Sequence, residues 1–209
     1  MDKELLPYRR NPLLLFSYNL LAPLYDLVIE HVMHEARKRS LRALPADTPG
    51  RVLVSGAGTG LDLPLLPRLH RYAALDFSDS MLRRAVPRGK GLEVDYVLGD
   101  SMELPFADAS FDHVVLHLIV AVVPQPELCL AEAARVLKPG GTVILFDKFL
   151  HPHQHAWLRR ALNPLTRRFA TRMDVVFEDT LREAPGLRVV SDEPMLAGGW
   201  FRRIVLRKG

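Results

Sequence analysis

A glycine-rich turn is the first feature of the sequence that could bind a ligand. The apolar run 52–55 passes directly into Gly56-Ala57-Gly58-Thr59-Gly60. Glycine lacks a Cβ atom, so it adopts unusual φ values and lets the backbone approach a ligand at the carboxyl end of a strand. A nucleotide-like ligand is the natural occupant, and a plain tight turn is the alternative. A dinucleotide is disfavoured, because its G-x-G-x-x-G fingerprint has its third glycine where this chain has Leu61.

Two carboxylates follow at positions that suit such a ligand. Asp76 ends the second apolar run, about 20 residues after the glycine turn, where it could accept hydrogen bonds from both ribose hydroxyls. Asp100 follows the third run and could accept a hydrogen bond from an exocyclic adenine amine. The alternative for Asp76 is a helix N-cap or a solvated loop acid.

The elements that must position these residues alternate in type along the chain. From residue 51 onward, short apolar runs of strand character alternate with helical stretches, which is typical of βαβ units. The sequence therefore predicts an α/β fold with a seven-stranded, doubly wound, mostly parallel sheet. The predicted strands run from Arg51 to Ser55, Tyr72 to Asp76, Asp95 to Leu98, His113 to His117, Thr142 to Asp147, Leu187 to Asp192 and Phe201 to Arg207.

Helices are predicted around this sheet and before it. Residues 1–48 are expected to form helices that cap the ligand edge of a core spanning 49–209, within one domain. The connection Ala197-Gly198-Gly199 permits a hairpin-like reversal, so the last strand is expected to run antiparallel. The other helices are expected after Gly60, from Asp79 to Ala85, from Pro126 to Leu137, and from His155 to about Ala170 with an interruption at Pro164.

The composition is that of an ordinary globular protein. Of 209 residues, 48% are hydrophobic and 25% charged, which excludes disordered and fibrous classes. The apolar run from Pro12 to Ile29 is interrupted by polar residues and prolines, so we expect no membrane span, and we expect no signal peptide. The single cysteine, Cys129, is expected to be a buried thiol, which fits a cytoplasmic protein.

Five motifs give the chain a family resemblance. The segments V-L-V-S-G-A-G-T-G, A-L-D-F-S-D-S-M-L, G-D-S-M-E-L-P-F, F-D-H-V-V-L and R-V-L-K-P-G-G occur in this order over roughly residues 50–150. This series resembles the class I S-adenosylmethionine-dependent methyltransferases, including type 11, quinone C- and bacterial phospholipid N-methyltransferases. The resemblance implies a Rossmann-like fold and S-adenosyl-L-methionine as cofactor. One position departs from it: the family usually has Asp or Glu where this chain has Val54.

The resemblance also implies which residues contact the cofactor. The glycines would lie beside its methionine and ribose parts, and Asp76 would hold the ribose. Met81 would flank the adenine, whose edge Asp100 would read together with the backbone that follows it. The full set of expected contacts is Ser55, Gly56, Ala57, Gly58, Gly60, Asp76, Phe77, Met81, Gly99, Asp100, Ser101, Met102 and His117.

Methyl transfer from a sulfonium chiefly requires alignment of the acceptor and exclusion of water. A base, where one is needed, would lie at the carboxyl ends of the fourth and fifth strands. His117 is our candidate base or acceptor hydrogen-bond partner, and a structural histidine is the alternative. Asp147 with Lys148 is the other candidate. Tyr18 and Tyr25 lie in a segment that resembles the one before the core of quinone and phospholipid methyltransferases. They could contact the acceptor or methyl group, or simply pack in the core.

Basic and apolar residues together favour a small amphiphilic acceptor: a fatty-acid or hydroxy-fatty-acid carboxylate, a phospholipid amine or a quinol. The net charge of +4 favours anionic partners, and peripheral contact with an anionic membrane is one expectation for a monomer or homodimer. A solvated basic face is the alternative reading of the arginines that suggest this contact. They are Arg159, Arg160, Arg167, Arg168 and Arg172, interspersed with apolar side chains.

Other functions fit the sequence less well. A nucleic-acid methyltransferase is disfavoured because no Asn-Pro-Pro-Tyr-type turn follows the fourth strand, so we expect no nucleic-acid partner. A non-catalytic S-adenosylmethionine-binding regulatory or partner protein is supported only by Val54, and a nicotinamide oxidoreductase only if Leu61 is tolerated. We expect no metal, because no cysteine or carboxylate with ligand spacing accompanies His151, His153 and His155.

Overall fold

The computed structural model describes residues 33–150, 175–184 and 186–209. Within these ranges strands and helices alternate, as the βαβ pattern predicts. The strands are β1 (Arg51–Ser55), β2 (Arg71–Asp76), β3 (Glu93–Leu98), β4 (Phe111–His117), β5 (Leu137–Lys148), β6 (Leu187–Leu196) and β7 (Phe201–Lys208). The α-helices are α1 (33–41), α2 (Asp79–Ala85), α3 (Pro126–Val136) and α4 (Phe177–Arg182), and short 3-10 turns cover Leu63–Leu65, Val86–Gly89 and Ala197–Gly199.

The strands form one seven-stranded sheet in the order β3-β2-β1-β4-β5-β7-β6. β1 to β5 pair in parallel, and β7 lies antiparallel between β5 and β6. The predicted fold class and the antiparallel last strand are therefore confirmed. The strand order reverses at β1, whose neighbours are β2 and β4. Ligands of open α/β sheets bind in the crevice outside the carboxyl ends of the strands at such a reversal.

The two faces of the sheet carry separate apolar clusters, because successive side chains of a strand point to opposite faces. On one face, Leu53 and Val114 lie in a cluster with Cys129 of α3, which is buried as predicted. On the other face, Val54 packs in a cluster with Leu41 of α1. Each fully buried aliphatic side chain stabilises the fold by roughly 1.5 to 3 kcal/mol. Val54, where the family resemblance leads us to expect an acid, is therefore part of the core.

The prediction of a helix directly after Gly60 is wrong. The structure has only the 3-10 turn Leu63–Leu65 there. Pro64 and Pro67 lack amide hydrogens, and Leu66, which precedes a proline, has the extended angles φ −78 and ψ 142. A continuous α-helix could not pass this point without losing hydrogen bonds.

The structure also differs from the predictions in the start of β5 and in one additional helix. β5 begins at Leu137 rather than Thr142, since Leu137 pairs with Phe111 before a register shift. α4 was not predicted, because its six residues are too short to show helical periodicity. The predicted helix from His155 to Ala170 and the predicted cap before residue 33 lie outside the described residues.

Candidate active site

The glycine turn leaves β1 at the carboxyl edge of the sheet. Gly56, Gly58 and Gly60 all have positive φ values, of 71, 55 and 81 degrees, which favour glycine over any other residue. The amide of Ala57 donates to the Leu75 carbonyl at 2.8 Å, so the turn is attached to the end of β2. The sequence therefore folds locally into a tight turn that no run of larger residues could form.

The three glycines face different surroundings. A Cβ atom on Gly56 would lie 2.6 Å from Ile119, and one on Gly60 would lie 2.8 Å from Ala85 of α2. A Cβ atom on Gly58 would meet no atom within 4 Å. Gly56 and Gly60 are therefore required by packing within the protein, whereas Gly58 borders open space where a ligand can approach the backbone.

Asp76 lies at the end of β2, beside this turn. Its Oδ2 accepts a hydrogen bond from the Gly58 amide at 2.8 Å, and its Oδ1 accepts one from the Ser78 amide at 3.0 Å. Burial raises the pKa of Asp76, and the hydrogen bonds from these amides offset part of the increase. A carboxylate has about four acceptor sites, so Asp76 can fix the turn and still accept from a ligand hydroxyl.

The loop after β3 completes this part of the edge. The Oδ1 of Asp100 accepts a hydrogen bond from the Met102 amide at 2.9 Å, and the Ser55 hydroxyl donates to the Ser101 hydroxyl at 2.8 Å. The second bond joins the end of β1 to this loop. The remaining predicted contacts lie along the same elements: Ala57, Met81 and Met102 are buried, and Phe77 and Gly99 are half-buried.

His117, at the end of β4, lies in a buried hydrogen-bond network. Its Nδ1 is 2.8 Å from Oδ1 of Asp62, and its Nε2 is 2.9 Å from the Ser40 hydroxyl. Arg37 donates to the other oxygen of Asp62 at 2.7 Å. We call Arg37, Ser40, Asp62 and His117 the Asp62 network; all four residues are buried.

This arrangement bears on the predicted role of His117. Both ring nitrogens are hydrogen-bonded within the protein, and the residue is only 4% exposed. A general base must be within hydrogen-bond reach of the proton that it removes. The geometry therefore favours the structural alternative over the base.

Asp147, the other candidate base, also holds backbone. Its Oδ2 accepts a hydrogen bond from the Ala121 amide at 3.0 Å, and its Oδ1 accepts one from the Lys148 amide at 2.8 Å. Burial raises the pKa of Asp147, which is 1% exposed. The carboxylate thus fixes the loop after β4, which begins at Leu118 with an unusual φ of 58 degrees.

Sequence reasoning did not find Arg37, Ser40 or Asp62. Their hydrogen-bond partners are 25 to 77 residues away in the chain, so no local spacing indicates them. The one available signal was an acid two residues after Gly60. Tyr18, Tyr25, the arginine-rich segment and the three clustered histidines lie outside the part of the chain that the structure describes.

Within residues 33–150, 175–184 and 186–209, no group of three or more histidine, cysteine or acidic side chains is arranged to hold a metal ion. In the same ranges, no helix combines the length and apolar character needed to span a membrane.

Known proteins resemble this chain in sequence. The methyltransferase domain family matches residues 53–145. Phosphatidylethanolamine N-methyltransferase from Cereibacter sphaeroides is 34% identical over 183 residues, which cover 85% of this chain and 89% of that protein. Demethylmenaquinone methyltransferase from Renibacterium salmoninarum is 39% identical over 137 residues, which cover 63% of this chain and 56% of that protein.

The fold has a solved counterpart as well. The methyltransferase in complex with the Haloferax volcanii Trm112 methyltransferase activator superposes with a TM-score of 0.75 at 20% identity, over 91% of this chain and 97% of that one. With the sequence relatives, this likeness places the chain in the class I S-adenosylmethionine-dependent methyltransferases. It is an enzyme of that family, and S-adenosylmethionine is its methyl donor.

The residues present fit this cofactor. Open space borders the backbone at Gly58, Asp76 ends β2, and Asp100 lies in the loop after the neighbouring strand β3. The turn thus offers close backbone approach, and the acids offer acceptors for ribose hydroxyls and an adenine amine.

Proposed function

We propose that the methyl acceptor is a small amphiphile, with a polar group that is methylated and an apolar tail. The observation that carries the proposal is the extent of one similarity: the phosphatidylethanolamine N-methyltransferase matches over 89% of its length, well beyond the cofactor-binding core at 53–145. Regions outside that core distinguish one acceptor from another, because function depends on the site rather than on the shared fold.

The named acceptors of the relatives support the same class. Phosphatidylethanolamine and demethylmenaquinone differ in the atom that is methylated, but each joins a polar group to long apolar chains. A phospholipid amine or a quinol is therefore the acceptor we favour, and a fatty-acid carboxylate belongs to the same class.

Apolar side chains at the ends of β4 and β5 support an apolar acceptor. Phe146 packs with Met33 of α1, and Leu118 and Phe201 pack against this pair. The ring of Phe146 lies 5.6 Å from that of His117, edge to face. This apolar cluster lies at the carboxyl ends of β4 and β5, the same end of the parallel sheet at which the glycine turn follows β1, and hydrocarbon there would favour binding of a lipid tail.

We assign four tasks to the chain. The glycine turn and Asp76 bind the cofactor, Asp100 and the loop after it bind its adenine, α1 and the apolar residues exclude water, and the ends of β4 and β5 orient the acceptor. S-adenosylmethionine, when bound, supplies an activated methyl group. We further propose that the arginine-rich segment between residues 157 and 172 contacts anionic lipid.

Comparison of methyl transfer to a lipid with methyl transfer to its isolated polar head group distinguishes an amphiphilic acceptor from a water-soluble one. Purified protein would be incubated with labelled S-adenosylmethionine and either phosphatidylethanolamine vesicles, a demethylated quinol in detergent, or phosphoethanolamine in solution. We expect label in one of the two lipids and none in phosphoethanolamine. Equal labelling of phosphoethanolamine and phosphatidylethanolamine would contradict the amphiphile. Asp76→Asn is the control that lacks the cofactor-binding charge.

A further inference from the structure

The Asp62 network joins three parts of the molecule. Arg37 and Ser40 lie three residues apart on α1 and so share one face of that helix. Asp62 follows the glycine turn, and His117 ends β4. The network is thus the buried polar contact between the helix over the sheet edge and the two segments that border the cofactor.

The ionisation of Asp62 gives the hydrogen bonds a direction. Burial alone would raise its pKa, but the charges of Arg37 and His117 and the hydrogen bonds from both side chains outweigh burial and hold the pKa of Asp62 well below its usual range. An ionised carboxylate only accepts, so Nδ1 of His117 must donate to it. The other ring nitrogen, Nε2, shares a hydrogen bond with the Ser40 hydroxyl.

The network reaches both ends of the glycine turn. Asp62 is two residues beyond Gly60, where the turn ends. Ile119 is two residues beyond His117, and its side chain occupies the space beside Gly56. A movement of α1 that removed Arg37 would leave a buried carboxylate without its charged partner, which is strongly unfavourable. The position of α1 and the conformation of the turn are therefore linked.

We propose that the Asp62 network couples the packing of α1 to the cofactor-binding turn, with Arg37 and Asp62 as positioning residues for methyl transfer. Coupling between two sites is reciprocal. Arg37 therefore strengthens binding of S-adenosylmethionine, and the cofactor in turn stabilises α1. This inference concerns the cofactor and does not depend on the identity of the acceptor.

Hydrogen exchange and calorimetry on the full chain test the coupling without any acceptor. For the wild type we expect S-adenosylmethionine to slow amide exchange in residues 33–41. For Arg37→Gln we expect that protection to be lost and the dissociation constant to rise on the order of tenfold. Arg39→Gln is the matched control, because Arg39 is on the same helix and forms an exposed ion pair with Glu193. It should behave as the wild type.

Two more variants distinguish coupling from simple packing. Ser40→Ala removes one hydroxyl, and it tests the network even if Arg37→Gln does not fold. We expect Ser40→Ala to weaken cofactor binding, but less than Arg37→Gln does. Arg37→Lys keeps the charge and should restore part of the affinity. In the assay with an acceptor, KM for S-adenosylmethionine should rise more than kcat falls. Unchanged cofactor affinity and unchanged protection of 33–41 in folded Ser40→Ala and Arg37→Gln would overturn the proposal.

Discussion

Asp76 is a buried carboxylate that fixes the glycine turn, and we propose that it also binds the cofactor. It accepts hydrogen bonds from the amides of Gly58 and Ser78, and so fixes the turn that the cofactor must approach. The sequence was sufficient to predict the position of Asp76, because an acid that ends the second strand of a βαβ unit lies beside the glycine turn in a parallel arrangement; its binding of the cofactor stays a prediction.

Replacement of Asp76 tests its role directly. We expect Asp76→Asn to raise the dissociation constant for S-adenosylmethionine by at least roughly tenfold, since a hydrogen bond to a charged group contributes about 1.5 to 3 kcal/mol. Isothermal titration calorimetry would measure it. Asp79→Asn, which removes an exposed ion pair with Arg83 on α2, should leave the constant unchanged. Equal affinity of the wild type and Asp76→Asn would refute the assignment.

At the scale of elements, the glycine turn combines two requirements that the sequence motif does not separate. All three glycines have positive φ, but only Gly58 borders open space. The motif predicts the turn because positive φ is a local property. It does not predict which glycine packs against Ile119 or Ala85, since these contacts depend on how α2 and the loop after β4 lie on the sheet.

Single alanine substitutions separate the two requirements. Gly58→Ala and Gly60→Ala should each be destabilised by about 1 to 2 kcal/mol through positive φ. Gly60→Ala should lose more, because its Cβ atom would lie 2.8 Å from the Ala85 backbone. Gly58→Ala should retain more stability yet bind S-adenosylmethionine weakly. Thermal denaturation and cofactor titration measure the two effects, and a Gly58→Ala variant with wild-type affinity would show that the ligand does not approach there.

The predictions at this scale succeeded or failed for different physical reasons. β1 and α2 have the predicted bounds, because a continuous buried run and a short helix between turns are both determined locally. The helix after Gly60 is absent because two prolines outweigh the expected alternation of strands and helices. The Asp62 network was not predicted because it depends on where α1 crosses the sheet, and that follows from the packing of Leu41 and Met33 in two different clusters.

At the scale of the whole molecule, charge is arranged differently at the two ends of the sheet. The carboxyl end has Asp76 and Asp100, the acids that we propose bind the cofactor, whereas the amino end has His113 close to His70, with ring centroids 5.9 Å apart. Burial, the charge of His70 and that of Lys138 lower the pKa of His113, and Asp112 opposes them. The folded protein therefore binds this proton less readily than the unfolded chain.

Stability should consequently depend on pH. A lowered histidine pKa means that the unfolded state binds more protons, so the free energy of unfolding falls as pH decreases through about 6.5, the value for an unperturbed histidine. Urea denaturation at pH 7.5 and 5.5 would measure the loss. His113→Gln, which can keep a hydrogen bond to Thr142, should reduce the difference between the two pH values. An unchanged difference would assign the dependence to other groups.

At every scale these features support our proposal that the enzyme transfers a methyl group from S-adenosylmethionine to an amphiphile at the carboxyl edge of its sheet. The most direct test is the transfer of radiolabelled methyl from S-adenosylmethionine into an organic-solvent extract of bacterial cells. At a subsaturating concentration of S-adenosylmethionine, we predict label in the organic phase with the wild type and much less with Asp76→Asn. Mild base that releases the label as volatile methanol would indicate a carboxyl ester, and label that stays on a non-volatile product would indicate an N- or C-methyl group. Label confined to the aqueous phase would contradict the amphiphilic acceptor.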